Sequence, residues 1–227
     1  MRIGVFGGTF NPVHYGHLRA AEEVGERLSL DRILFIPSGN PPIKTADIAE
    51  AGQRFKMVSL AVGDNRLFDV LDLECARPEK SYTVKTVETL LERYEKSDLF
   101  FILGIDAFLD VPNWWQPGRL VSLVNFAVIS RPGRSFSDLS SSTYLEVDKR
   151  LLRRLDEGET EMAAVPLVSG REAVLIRVTH MDISSTGIRA RLKEGLSIKY
   201  LLPEGVESFI ISHKLYNKNS KKRKTES

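Results

Sequence analysis

Short apolar runs alternate along this chain with amphipathic stretches of helical period. The apolar runs have the length of strands, and several lack polar alternation, which is typical of buried parallel strands; they cover residues 3–6, 33–36, 68–73, 99–103, 126–129 and 174–178. The helical period is clearest at 83–96, and further helices are predicted at about 18–28, 51–62, 144–155, 186–192 and 206–216. This alternation predicts an α/β fold: a doubly wound, Rossmann-like parallel sheet with helices on both faces and a small C-terminal helical part.

One domain is predicted over residues 1–216. A serine-rich loop at 134–142 and a weakly patterned connection at 158–170 indicate a minor insertion within 134–170. Residues 217–227 lack apolar side chains, which predicts a basic disordered tail.

The composition is that of an ordinary globular protein, with 227 residues of which 42% are hydrophobic and 27% are charged. No run approaches the ~20 apolar residues of a membrane span, and the N-terminal stretch MRIGVFGGTF is too short and too soon broken by glycines for a signal peptide. Because Cys75 is the single cysteine, an internal disulfide and a Cys-rich zinc site are excluded. We therefore expect a cytoplasmic protein without a membrane partner.

The formal net charge of +2 is unevenly distributed. The tail at 217–227 holds five basic residues and one acidic residue, so it carries +4 and leaves the rest of the chain at −2. A slightly acidic body must attract anions through a few placed groups. Binding to nucleic acid is therefore expected only weakly, through the tail.

The first candidate site is the stretch G-G-T-F-N-P-V-H-Y-G-H at 7–17, between the first predicted strand and the first predicted helix. Its glycines allow a sharp turn and close approach of a ligand, and the helix that follows presents free N–H groups to an anion. His14 and His17 are three apart, so one helical turn can bring both imidazoles to one group. The stretch is neither a Walker A loop nor a G-x-G-x-x-G fingerprint, and the histidine spacing matches no common zinc motif.

The second candidate site is I-S-S-T-G-I-R at 183–189, after the last predicted strand. Its hydroxyl residues are typical helix N-caps. Arg189, four residues after Ser185, would share a helix face with it, and a bound phosphate is the simplest reason for a cation near a helix N-terminus. The alternative is an ordinary capped helix with a solvent-facing arginine.

Between these two sites, a rigid Pro-Pro turn leads to Lys44, which without context is a solvated lysine. Asp106 comes two residues after Gly104 at the end of a buried strand, where a carboxylate can accept ribose hydroxyl protons. The adjacent Trp114 and Trp115 cannot both point into one core, so at least one is expected at a surface or pocket. The alternative is a core anchor with a partly exposed neighbour.

These motifs resemble those of a known superfamily. The stretch at 14–17 resembles the H-x-G-H signature of the nucleotidylyltransferases, and I-S-S-T-x-I-R resembles their second signature. The opening G-G-T-F-N-P-x-H, the S-Y-T segment at 81–83, and G-x-D followed by tryptophan resemble the adenylyltransferases of nicotinate mononucleotide. The resemblance covers residues 1–216 and is weakest at 134–170; Ile43 replaces the usual histidine before Lys44.

The resemblance implies transfer of the adenylyl group of ATP to nicotinate mononucleotide, giving deamido-NAD and pyrophosphate. Catalytic roles would fall to His14, His17 and Arg189. ATP would be bound by Gly8, Thr9, Phe10, Gly104, Asp106, Ile183, Ser184, Ser185 and Thr186. Nicotinate mononucleotide would be bound by Lys44, Ser81, Tyr82, Thr83, Trp114, Trp115 and Arg131, with stacking by Trp114 and backbone contacts near Thr83 and Trp115.

Mg²⁺ is expected to accompany ATP without dedicated protein ligands, since no acidic cluster is visible. Three rival functions remain. A phosphopantetheine adenylyltransferase would share the two ends but lack the middle segments. A class I aminoacyl-tRNA synthetase fragment would also have H-x-G-H, with the stretch at 56–59 as a faint second motif. A nucleic-acid-binding module would act through the tail. The sequence leaves the oligomeric state open, with a homo-oligomer among the options, and leaves open the preference between nicotinate and nicotinamide.

Overall fold

A seven-stranded sheet forms the centre of the protein, whose computed structural model describes residues 1–41, 47–77 and 79–217. The strands are β1 (Arg2–Gly8), β2 (Arg32–Pro37), β3 (Phe68–Val70), β4 (Asp98–Gly104), β5 (Asn125–Ile129), β6 (Met162–Pro166) and β7 (Glu172–Ile176). Their order is β3-β2-β1-β4-β5-β7-β6, and all neighbours are parallel except the edge pair β6 and β7. The predicted doubly wound α/β fold is confirmed.

Helices cover both faces of the sheet. They are α1 (Tyr15–Leu28), α2 (Ala51–Val62), α3 (Thr83–Arg93), α4 (Ile105–Asp110), α5 (Pro117–Leu123), α6 (Lys149–Glu157), α7 (Ser185–Glu194) and α8 (Glu204–Ser212), with 3-10 turns at Val111–Asn113 and Phe136–Ser141. Successive residues of β4 alternate between two buried apolar clusters, one packed by α3 to α6 and the other by α1, α2, α7 and α8. Burial on both faces explains the unbroken apolar runs of the central strands.

The strand order places the candidate site. From β1 the chain continues to β2 and β3 on one side, whereas β4 and β5 lie on the other side of β1. The carboxyl ends of β1 and β4 therefore flank the point where the winding direction reverses, which is where open α/β sheets bind ligands. Gly8 and Gly104 are the last residues of these two strands.

Several elements differ from the sequence prediction. β6 was missed because its residues are largely exposed on an edge strand, and α4 and α5 were missed because helices of six and seven residues give little periodicity. β3 ends at Val70, short of the predicted 73. Cys75 lies half-buried in the turn that follows, where its Sγ donates to the Pro37 carbonyl at 3.3 Å. The stretch at 56–59 lies inside α2.

Other predictions fall on residues outside those described, namely Ile43, Lys44 and nearly all of the basic tail. Within the described parts of the chain, no helix is both long enough and apolar enough to span a membrane.

Candidate active site

The loop between β1 and α1 brings the two histidines together. His14 is the N-cap of α1, and His17 is the third residue of that helix. The His14 backbone N–H donates to His17 Nδ1 at 3.3 Å, and the His17 backbone N–H donates to the His14 carbonyl at 2.9 Å. Because Nδ1 of His17 accepts, a neutral His17 carries its proton on Nε2, which remains able to donate to a ligand.

The imidazoles of His14 and His17 lie against each other and are neutral. Their ring centroids are 3.8 Å apart, and Phe10 packs edge-on against His17 at 5.2 Å. Burial, with a smaller contribution from the positive charge of Arg131, lowers the pKa of His14 from 6.5 to about 4. Burial first, then His14 and Arg131, holds the pKa of His17 well below 6.5. Two neutral imidazoles can donate hydrogen bonds to phosphate oxygens without carrying a buried charge.

Arg131 faces this pair from the end of β5. Its guanidinium pairs with the Asp106 carboxylate at 3.2 Å. The Arg131 side chain crosses the backbone of Gly104 so closely that a Cβ there would lie 2.3 Å from the Arg131 Cδ. Glycine at this strand end therefore makes room for the arginine.

A cavity of about 360 Å³ lies between the histidines, Arg131 and the segment at 178–184. It has the position expected for an anion, since the N-termini of α1 and α7 both border it. The sequence-predicted residues that line it are Gly8, Thr9, Phe10, His14, His17, Gly104, Arg131, Ile183 and Ser184.

The rest of the second motif contacts the β1–α1 loop instead of lining this cavity. Ser185 Oγ donates to the Pro12 carbonyl at 2.8 Å, and Arg189 Nη1 donates to the Asn11 carbonyl at 2.8 Å. Thr186 Oγ1 accepts from Arg189 Nη2 at 3.3 Å. Arg189 is the fifth residue of α7 and lies just beyond its first turn. The sequence spacing identified the shared face of Ser185 and Arg189, but not the loop that packs on it.

A second, larger cavity of about 880 Å³ lies on the other side of Gly8 and Thr9, which line both cavities. Its walls include the sequence-predicted residues Ser81, Tyr82, Thr83, Trp114 and Trp115. Ser81 shapes the loop after β2, because its Oγ accepts from the backbone N–H groups of Gly39 at 3.0 Å and Asn40 at 3.2 Å. The described substrate-binding residues of the prediction border this second space, except Arg131. We assigned Arg131 to nicotinate mononucleotide, but it lines the smaller cavity, because its side chain crosses Gly104 towards Asp106.

The two tryptophans have different surroundings. Trp114 packs edge-on against Phe101 at 6.2 Å, and its Nε1 donates to Asp110 at 3.1 Å. Trp115 is 42% exposed and lies 4.8 Å from the ring of Tyr82, at an interplanar angle of 33°. Trp115 therefore offers the larger open ring surface, although we had assigned stacking to Trp114.

Sequence reasoning missed three polar residues around these cavities. Arg54 is 1% exposed and donates to the carbonyls of Thr9, Ala49 and Gly39 at 2.8, 3.0 and 3.1 Å. Its position three and four residues before the buried Met57 and Val58 was a usable signal, because it places the arginine on the buried face of α2.

Glu74 and Asn11, the other two, gave no such signal. Glu74 lines the larger cavity and accepts from Thr86 Oγ1 at 2.6 Å, and burial raises the pKa of its carboxyl group. Asn11 lies within the first motif but is buried and bonded to distant segments. The partners of both residues depend on tertiary contacts that no local pattern reports.

Comparison with known proteins shows the family. The family model described as cytidylyltransferase-like matches residues 5–191. A "Probable nicotinate-nucleotide adenylyltransferase" of Syntrophotalea carbinolica is 42% identical over 217 residues, covering 95% of this chain and 97% of that protein. A protein of Geobacter sulfurreducens with the same description is 40% identical over 226 residues, covering 95% of this chain and 98% of its own.

A solved structure resembles the fold as a whole. The Plasmodium falciparum nicotinic acid mononucleotide adenylyltransferase complexed with NaAD superposes with a TM-score of 0.71 over 95% of this chain and 97% of that chain. The two sequences are only 20% identical, so this likeness is one of fold.

Proposed function

This chain belongs to the nicotinate-nucleotide adenylyltransferases, within the cytidylyltransferase-like family, and we propose that it transfers the adenylyl group of ATP to nicotinate mononucleotide in NAD biosynthesis. The products are deamido-NAD and pyrophosphate. The observation that carries the proposal is that two cavities meet at Gly8 and Thr9, with two neutral histidines and Arg131 on one side and a tryptophan pair on the other. Such a site can bring two phosphate-bearing nucleotides together.

The reaction asks the protein for positioning and charge stabilisation. A phosphate oxygen of nicotinate mononucleotide forms a bond to the α-phosphorus of ATP, and the bond from that phosphorus to the oxygen of the leaving pyrophosphate breaks. The attacking phosphate is already anionic at neutral pH, so no protein nucleophile is needed and no strong base. The rate then depends on in-line placement and on donors for the charge that spreads over the phosphates.

In this proposal the smaller cavity receives the phosphates of ATP. His14 and His17 donate to the α-phosphate, while the backbone of Thr9 and Phe10 guides the attacking group. Arg131 supplies the positive charge nearest the histidines. The N-terminus of α7, capped by Ser184, faces the β- and γ-phosphates.

The second motif then has two parts. Ile183 and Ser184 border the phosphate cavity, whereas Ser185 and Arg189 donate hydrogen bonds to backbone carbonyls of the β1–α1 loop and so fix it. The family resemblance implies a direct contact of Arg189 with the phosphates. A guanidinium has five N–H groups, so donors remain for this contact beyond the bonds to Asn11 and Thr186.

The larger cavity receives nicotinate mononucleotide. The pyridine ring lies against the aromatic wall at Tyr82 and Trp115, and Lys85 Nζ, 5.5 Å from the Trp115 ring, adds positive charge beside it. A basic group at this wall suits a carboxylate better than a neutral amide. Gly104, Asp106 and Lys44 keep the nucleotide-binding and substrate-binding roles that the resemblance implies.

Other properties follow from the same proposal. Among the described residues no group of three or more His, Cys, Asp or Glu side chains could hold a metal ion, so we place Mg²⁺ with the phosphates of ATP. We also propose a cytoplasmic enzyme whose contact with nucleic acid is limited to weak binding by its tail.

The test is a turnover assay with four substrate pairs: ATP or CTP with nicotinate mononucleotide or nicotinamide mononucleotide. We expect the highest kcat/KM for ATP with nicotinate mononucleotide and equal yields of deamido-NAD and pyrophosphate. A preference for CTP would contradict the proposed nucleotide, and a preference for the nicotinamide substrate would contradict the proposed acceptor.

A further inference from the structure

Every polar atom of the Asn11 side chain is bonded to a distant part of the chain. Asn11 lies in the β1–α1 loop, three residues before His14, and is 4% exposed. Its Oδ1 accepts from the Tyr216 hydroxyl at 2.7 Å and from the Ala49 N–H at 3.0 Å, while its Nδ2 donates to the Asp47 carbonyl at 3.0 Å. Four bonds, counting the one from Arg189 to its own carbonyl, fix this residue from three other segments.

Tyr216 is the most distant of these partners, 205 residues from Asn11. It ends the turn that follows α8, and this turn is bonded to the helix by the N–H of Leu215, which donates to the Ile210 carbonyl at 3.0 Å. The ring of Tyr216 is buried, and its φ of 64° lies in the left-handed region that a residue with a side chain rarely adopts. Surrounding packing must hold Tyr216 in this conformation.

The Tyr216 hydroxyl is suited to a constant donor role. Burial raises the pKa of Tyr216 further above its ordinary range, so the hydroxyl remains protonated at any physiological pH. Removing this donor leaves the Oδ1 of a buried asparagine with one partner instead of two, which loosens Asn11 without emptying the ring's place in the core.

What Asn11 holds is the backbone that carries the histidines. The same loop is fixed at Thr9 by Arg54 and at Pro12 by Ser185, so the bond from Tyr216 acts between these two points. The histidine pair begins at His14, two residues after Pro12. A shift of Asn11 therefore passes along a short, restrained backbone to His14.

We propose that Tyr216 is a positioning residue for adenylyl transfer, acting through Asn11 to hold the β1–α1 loop and thereby the histidine pair. The inference rests on the proposed function for its kinetic part only. It assigns to the C-terminal segment after α8 a part in catalysis, although Tyr216 lines neither cavity.

The test is Tyr216→Phe in the full chain, which removes one oxygen and keeps the ring. Tyr200→Phe is the matched control, because Tyr200 has a similar φ of 66° and is 80% exposed. We expect kcat of Tyr216→Phe to fall between about ten- and a hundred-fold, as for a small misplacement of catalytic groups. The KM values for ATP and nicotinate mononucleotide should stay within about two-fold, and Tyr200→Phe should match the wild type.

Two further measurements separate positioning from a purely structural role. The side-chain NMR signals of His14 and His17 should shift in Tyr216→Phe and not in Tyr200→Phe. In a double-mutant cycle, Tyr216→Phe should cost nothing more once Asn11→Ala is present, since both remove the same bond. If Asn11→Ala fails to fold, the kinetic and NMR results for Tyr216→Phe decide alone.

The outcomes are distinguishable. A Tyr216→Phe protein with a lower melting temperature but wild-type kcat and unchanged histidine signals overturns the inference and leaves the hydroxyl a structural role. Additive losses in the cycle overturn the route through Asn11. A wild type that makes no deamido-NAD contradicts the proposed function, while the histidine signals still test the link from Tyr216 to the loop.

Discussion

The rings of His14 and His17 lie against each other with centroids 3.8 Å apart, and the backbone N–H of His14 donates to Nδ1 of His17. Both rings are neutral in the folded protein, whereas in the unfolded chain each takes up a proton near pH 6.5. Below that pH the unfolded state binds more protons than the folded state, so stability falls as pH falls.

The first prediction is therefore a loss of stability in mild acid. For His14 the loss develops as pH falls from about 6.5 to about 4 and amounts to at most roughly 3 to 4 kcal/mol, at ~1.4 kcal/mol for each unit of pKa shift. Thermal unfolding at pH 7 and at pH 5 measures this loss of stability. Both pH values lie above the range in which most carboxylates titrate, so the histidines dominate the difference. His14→Asn should reduce the difference between the two melting temperatures. An equal difference in wild type and variant would show that other groups cause the acid sensitivity.

The second prediction concerns catalysis by His17. His17→Ala should lower kcat by about a hundred-fold or more, as expected when a donor to developing phosphate charge is removed. The fold should remain, because the His17 ring is only partly buried and packs edge-on against two rings, those of Phe6 and Phe10, at the border of the site. His213→Ala is the control, since His213 stacks on Phe209 at the end of α8, outside both cavities. Near-normal turnover of His17→Ala would contradict a catalytic role for His17.

The architecture and the position of the site could be predicted from the sequence, because both depend on local patterns. The apolar runs report burial directly, and the motif at 7–17 lies between a strand and a helix as predicted, so the predicted sheet and the loop that carries His14 agree with the structure. Gly7 and Gly8 are the last residues of β1 and form no turn; the loop turns at Phe10, whose φ is 45°. The split within 183–189 could not be derived in this way. Whether Arg189 meets a ligand or the Asn11 carbonyl depends on how α7 packs on a loop some 178 residues earlier.

Buried polar residues were the other gap. Arg54 could have been predicted, because its helical spacing relative to Met57 and Val58 places it among the buried residues of α2. Asn11 and Tyr216 had none, because hydrogen bonds over 205 residues leave no periodic trace in either segment. The histidines and glycines of the site lie in local sequence motifs and could be predicted. The hydrogen bonds that fix the β1–α1 loop join distant segments and could not.

The third prediction uses the contact between Gly104 and Arg131. A Cβ in Gly104→Ala would lie 2.3 Å from Arg131 Cδ and 2.7 Å from Asp106 Oδ1, so the arginine must move and its ion pair with Asp106 must break. Because both side chains are substantially exposed, the melting temperature should change little. Turnover should fall about ten-fold or more if Arg131 stabilises phosphate charge.

The control for this variant is Gly118→Ala, whose added Cβ meets no atom within 4 Å. It should keep wild-type kinetics. Since moving Arg131 also removes a positive charge that lowers the pKa of both histidines, Gly104→Ala should raise those values, which NMR titration of the imidazoles can follow. Unaltered kinetics and unaltered imidazole titration would contradict a role for Arg131 beside the histidines.

The fourth prediction separates the two tryptophans, which are the only ones in the chain and line the same cavity. Trp115 is the more exposed and pairs with Tyr82, whereas Trp114 is fixed by Asp110 and Phe101. Nicotinate mononucleotide should therefore quench the fluorescence of Trp114→Phe, in which Trp115 remains, and have little effect on Trp115→Phe. Trp115→Ala should raise the KM for nicotinate mononucleotide by about ten-fold, because it removes one stacking surface, with the KM for ATP unchanged. Quenching that persists in Trp115→Phe and disappears in Trp114→Phe would instead give the stacking role to Trp114, as the family resemblance implies.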